Sequence, residues 1–151
     1  MIKEKIKSEM MESMRAKDNE RLTTIRGIIA KIKDKEIEMR TSESKPELDE
    51  TGVLVVMQQM IKQRNDSILE FKKANRLDLS EKEEKEILVI RSFMPQLLSE
   101  PEIEKVIKEA IANLEAQSVK DMGKVVQFMK ENYVGRIDPA EVSKKIKELL
   151  S

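Results

Sequence analysis

The chain contains no cysteine, no histidine and no tryptophan. Without cysteine there can be no disulfide framework, no thiolate zinc site and no thiol nucleophile. Without histidine, the commonest general base and the commonest metal ligand are both missing. Glycine and proline number 4 each in 151 residues. Four scattered glycines supply neither a phosphate-cradling loop nor a dinucleotide fingerprint. Aromatics make up only 3%, so the core must be built from Ile, Leu, Val and Met. An excess of one charge is also lacking: Lys and Arg number 29, as do Asp and Glu. There is then no global field to draw in a polyanion, and such binding would need a local basic face. Long apolar runs are absent as well, beginning with Met1-Ile2-Lys3-Glu4-Lys5-Ile6. No signal peptide and no membrane span are expected, which makes the cytoplasm the expected compartment. No cofactor and no metal are expected.

What is present is charge interleaved with aliphatic residues at helical spacing. Hydrophobic residues are 39% and charged ones 38%, a mixture suited to amphipathic helices. Four helix-start signals stand in the second half, at Ser80, Ser99, Ser118 and Asp138, with an acid three residues on at Glu83, Glu102, Asp121 and Glu141. A cap oxygen accepts from first-turn N–H groups, and the acid reaches back to the cap's own N–H. Pro139 follows Asp138, where its fixed φ and missing N–H cost least. Such phasing leaves little room for strands and predicts an all-α protein.

The apolar stripes fill in the elements. Ile2, Ile6, Met10 and Met14 mark a first helix; Leu22, Ile25, Ile28, Ile29 and Ile32 mark a second, extending toward Ile37 and Met39. Gly27 inside that helix predicts a close helix crossing. Residues 41–47 are aperiodic and predict a mobile loop. Asp49 or Thr51 opens a third helix that ends near Asn75, and a fourth ends at Met94-Pro95, since the residue before Pro is pushed out of the α region. Three shorter helices follow. The expected organisation is an N-terminal bundle of about four helices over 1–95 and a C-terminal three-helix bundle over 96–151. The apolar link places Leu97 and Leu98 in a seam between them.

Several strings carry a resemblance. Lys120-Asp121-Met122-Gly123-Lys124-Val125-Val126, followed by Gly135-Arg136-Ile137-Asp138, resembles the signature of the GatB/YqeY family. So does Met60-Ile61-Lys62-Gln63-Arg64-Asn65-Asp66-Ser67-Ile68, leading through Phe71 to Asn75-Arg76-Leu77-Asp78-Leu79. Phe93-Met94-Pro95-Gln96-Leu97-Leu98-Ser99 is similar to the family's link between its helical parts. The matches run from about Leu22 to the C-terminus. Asn75 stands where the family often has Gly, and Pro139 is less usual there. The length is that of the family's stand-alone members; the amidotransferase subunit carries a large catalytic domain besides. The resemblance implies a wholly helical protein whose tail is similar to one associated with contacting tRNA.

Lys120, Lys124, Lys130, Arg136, Lys144 and Lys145 are therefore the candidate RNA-binding residues. If they converge they form a surface for phosphate oxygens; a solvated helix face explains the same lysines. Gly123 and Gly135 read first as a close-packing and a helix-ending residue. Arg136 serves either recognition or the carbonyls of the preceding helix. Arg64 lies on an apolar stripe and calls for a carboxylate partner, as does Arg91. No catalytic residue is assigned. The expected function is a helical accessory module binding tRNA or another structured RNA without catalysis of its own. A protein-interaction adaptor, or a participant in carbon–nitrogen ligase activity with glutamine as amido donor, is the alternative.

Overall fold

In a computed structural model that describes all residues 1–151, the chain is all-α, with seven α-helices and no strand. By its internal contacts it divides into two compact units, Met1–Met94 and Pro95–Ser151. The first holds α1 (Ile2–Arg15), α2 (Asn19–Glu38), α3 (Glu50–Lys73) and α4 (Leu77–Arg91). The second holds α5 (Glu100–Asn113), a 3-10 turn (Val119–Asp121), α6 (Met122–Asn132) and α7 (Pro139–Leu150).

Four helix-to-helix reversals pass through the left-handed region, at Lys17 (φ 57°), Asn75 (φ 56°), Glu115 (φ 54°) and Gly135 (φ 77°). Asn75 and Gly135 are residue types that adopt it readily, as their sequence position predicted. Lys17 and Glu115 are not, so residue type alone does not announce the left-handed step at those two turns. Asp49 caps α3 by accepting from the Gly52 N–H at 2.8 Å. A Cβ on Gly52 would sit 2.8 Å from the Leu48 side chain. A larger residue there would push the Leu48 side-chain tip aside.

In the first unit α1 packs on α2 and α3 on α4, with α2 crossing both partners of the second pair. Ile6, Ile25, Ile28, Met57 and Ile90 are fully buried at its centre. Arg64 has its carboxylate: Nε donates to Glu86 at 3.0 Å, with Glu83 at 4.0 Å. Glu36 ties the aperiodic segment down, accepting from Lys3 Nζ at 2.8 Å and from the Leu48 N–H at 2.7 Å.

Several expectations are corrected. α4 begins one turn before Ser80, because the reversal at Asn75 leaves only Arg76 before the helix. Ser80 is buried and its hydroxyl donates back to the Leu77 carbonyl at 3.1 Å. α1 turns Ser13 inward where the chain folds back, and Met14 is exposed. Ile37 and Met39, at the free end of α2, are exposed too. A Cβ at Gly27 or Gly123 would meet nothing within 4 Å, so neither marks a close crossing. Leu97 and Leu98 part company: Leu98 is buried in the C-terminal core, whereas Leu97 is 47% exposed. No helix is long and apolar enough to cross a membrane.

Candidate nucleic-acid interface

The C-terminal unit is organised by one apolar core. Ile107 and Ala110 of α5, Val125 and Met129 of α6, and Val142 and Ile146 of α7 are buried together, with Leu98 and Ile137 closing the end. Each helix turns its stripe inward and its charged residues outward. Ser99 starts α5 with a reciprocal capping box: its hydroxyl accepts from the Glu102 N–H, and Glu102 accepts from the Ser99 N–H, both at 3.3 Å. Asp138 starts α7, accepting from the Ala140 N–H at 3.0 Å. Ser118 makes no side-chain cap bond. Asp121 instead accepts from the Gln117 N–H at 2.9 Å and folds the segment into a 3-10 turn ahead of α6.

The six candidate cations fall into three places. Lys120 lies in the 3-10 turn and Lys124 in the first turn of α6, both exposed. Lys130 is exposed in the last turn of α6, where the helix's C-terminal partial charge favours a cation. Arg136 stands in the turn beyond. Lys144 and Lys145 are on α7. The 11 residues of α6 put its two ends roughly 16 Å apart at 1.5 Å per residue. The candidates are thus strung along the unit and do not gather at a single point.

Their surroundings differ. Lys120, Lys130 and Lys144 make no ion pair within the chain. Lys124 lies 3.8 Å from Asp121, and Lys145 lies 4.0 Å from Glu104 across the α5–α7 contact. Glu104 also meets Lys108 at 3.0 Å, and that bond, with the charges of Lys108 and Lys145, holds its carboxyl below the usual range. Asp121 is lowered first by the Gln117 N–H and then by Lys124. Arg136 does not serve the carbonyls of α6 through its side chain. Its Nε donates to the Gln96 carbonyl at 3.3 Å, while its own carbonyl accepts from the Leu98 N–H at 2.8 Å. It locks the 96–98 segment onto the α6–α7 turn. Over residues 95–151, nine Lys and Arg face ten Asp and Glu, so the unit as a whole is not basic.

A second feature was not legible in the sequence. In the first unit an open groove of about 690 Å³ lies along α2 and α4, lined by Asp18, Asn19, Thr23, Lys82 and Lys85 among others. It exists because two helices distant in sequence cross there, and no local pattern announces it. Arg21, which also lines it, pairs with Glu9 at 3.4 Å and stands 5.7 Å from the centre of the buried Phe93 ring; Lys5 stands 5.9 Å from the same ring. No group of three or more acidic side chains is disposed to hold a metal ion.

Fold and surface together define an all-helical, two-unit protein with exposed lysines along its C-terminal bundle. A family model described as "Yqey-like protein" matches residues 3–150, and the chain belongs to that family. Relatives include the protein named altered inheritance of mitochondria protein 41, mitochondrial, from Lachancea thermotolerans, 38% identical over 82% of this chain and 67% of that one. The Pyrenophora tritici-repentis protein of the same name is 30% identical over 97% of this chain and 79% of its own. The Kluyveromyces lactis one is 42% identical, over 61% of this chain but only 48% of its own length. The chain therefore spans between about half and four fifths of these relatives.

Proposed function

We propose that this YqeY-like chain is an accessory module without catalysis of its own, which binds tRNA or another structured RNA through its C-terminal unit. The observation that carries this reading is the set of three exposed lysines without internal partners, Lys120, Lys130 and Lys144, distributed along α6, its leading turn and α7. Phosphate oxygens are the natural partners of such groups, since each contact releases a condensed counterion. Lys124, Lys145 and Arg136 extend the track. Family membership supports it through the likeness of this tail to the amidotransferase one. We place the action in the cytoplasm; the relatives carry "mitochondrial" in their names, and tRNA occurs in both compartments.

The test is a gel-shift titration of the full chain against bacterial tRNA, beside a variant with Lys120→Gln, Lys130→Gln and Lys144→Gln. None of the three makes an ion pair, so the variant keeps its fold and loses tenfold or more in affinity, as expected for three phosphate contacts worth about 0.5–1 kcal/mol each. Equal binding by parent and variant, or none by the parent, ends the proposal.

A second reading, a protein-interaction adaptor, has its own observation. Leu77 and Leu88 of α4 are 60% and 70% exposed and lie three turns apart on one face. Capture of a stoichiometric protein from cell extract, resistant to nuclease and to high salt, would favour it. The link to glutamine-dependent amide transfer needs an activated nucleophile. Here the hydroxyls of Thr24, Ser80 and Ser92 donate to carbonyls three or four residues back. Ammonia release from glutamine above that of a heat-killed control would revive that reading.

A further inference from the structure

Arg136 is the only arginine in residues 95–151, and its backbone is fixed from both sides. Gly135 before it takes the left-handed turn (φ 77°), and Ile137 after it is buried in the core. The Arg136 N–H donates to the Tyr133 carbonyl at 3.0 Å, and the Arg136 carbonyl accepts from the Leu98 N–H at 2.8 Å. The side chain is pinned as well, because Nε donates to the Gln96 carbonyl at 3.3 Å. That bond uses the inner nitrogen and leaves the outer pair, Nη1 and Nη2, with no hydrogen bond inside the chain. Glu102 feels the charge of this guanidinium. Its carboxylate is engaged by Ser99, which donates its N–H at 3.3 Å and its hydroxyl at 2.8 Å. The outer edge of a guanidinium presents two parallel N–H donors, which fit two oxygens of one phosphate. A lysine ammonium is instead a point charge on a flexible stem, and it gives up that freedom on binding.

Resting on the RNA reading above, we propose that Arg136 is the fixed point of the interface: its two outer nitrogens grip one backbone phosphate while the Gln96 carbonyl holds the guanidinium in place. The lysines supply attraction, and Arg136 supplies position. Such a contact depends on the fork and not on charge alone. Arg136→Lys keeps the charge and loses the fork.

Two readouts on the full chain test this. The first is tRNA affinity of the parent and of Arg136→Lys, measured well below the melting temperature of each. The variant binds roughly tenfold more weakly. Its slope of log K against log salt stays that of the parent, because the number of cations is unchanged. The second readout needs no variant: with isotope-labelled arginine, the Arg136 Nη resonances of the parent shift as tRNA is added. Binding by Arg136→Lys within about twofold of the parent, whatever its melting temperature, overturns the proposal and leaves the RNA reading standing. Arg136 is then only a staple between the α6–α7 turn and the 96–98 segment. Nη resonances that ignore tRNA overturn it too. Should they respond to polyglutamate instead, the fork belongs to a carboxylate of a protein partner. Failure of the parent to bind tRNA removes both readings together.

Discussion

Glu36 ties separate segments of the N-terminal unit together. It joins α2 to α1 through Lys3 and fixes the end of the aperiodic segment through the Leu48 N–H. These bonds, Lys3 first and the Leu48 N–H second, pull its carboxyl below the ordinary value of 4.5. A carboxylate whose folded-state pKa is depressed adds stability that is complete above its unfolded pKa. That stability is lost as pH falls through the lower folded value. Glu36→Gln should therefore lower the melting temperature at neutral pH, and the gap between the two proteins should narrow as pH falls below 4.5 and close as it passes the lower folded value. Thermal melts from pH 7 to 3 check this; a constant gap across the range would show that the carboxylate charge is irrelevant. Arg64 belongs to the same scale. Its place on an apolar stripe required a carboxylate, and Glu86 supplies it at 3.0 Å. The sequence foretold that a partner existed, but Glu86 is 22 residues away, and only the α3–α4 pairing selects it from many acids.

At the scale of elements, the apolar stripes marked all seven helices, while their exact starts depended on turns that composition hides. Ser99 and Ser118 carried the same kind of signal, yet only Ser99 forms a box. At Ser118 the shorter Asp121 side chain reaches the Gln117 N–H and draws the chain into a 3-10 turn. The two serines should respond differently: Ser99→Ala costs about 1 kcal/mol, and Ser118→Ala stays within about 0.5 kcal/mol. Urea titration of each variant distinguishes these values, and equal losses would contradict the capping assignment. The neighbours Leu97 and Leu98 give a second contrast. Leu98 lies in the C-terminal core beside Ile107 and Val142, whereas Leu97 is half exposed. Leu98→Ala should cost about 2–5 kcal/mol and Leu97→Ala under about 0.5 kcal/mol. Equal destabilisation by the two would mean that the link is packed differently. Periodicity could not separate them, because both stand in a segment with no helical repeat.

For the molecule as a whole, the all-α class and the family were readable from stripes, caps and motif strings. The candidate site was readable only as a set of residues. Its arrangement was not, because ion pairing depends on contacts between helices: Lys145 meets Glu104 through the approach of α7 to α5. Under the proposed RNA reading, the balance of nine cations to ten acids in residues 95–151 leaves a few placed lysines to supply the affinity. That makes the salt dependence of binding the most direct test of the central claim. The full chain is titrated with tRNA by filter binding across a range of monovalent salt. Three to six phosphate contacts predict that log K falls against log salt with a slope of about −3 to −5. The variant with Lys120→Gln, Lys130→Gln and Lys144→Gln should be shallower by about 2 to 3. A slope near zero, or one unchanged in the variant, would contradict the claim that these lysines hold RNA.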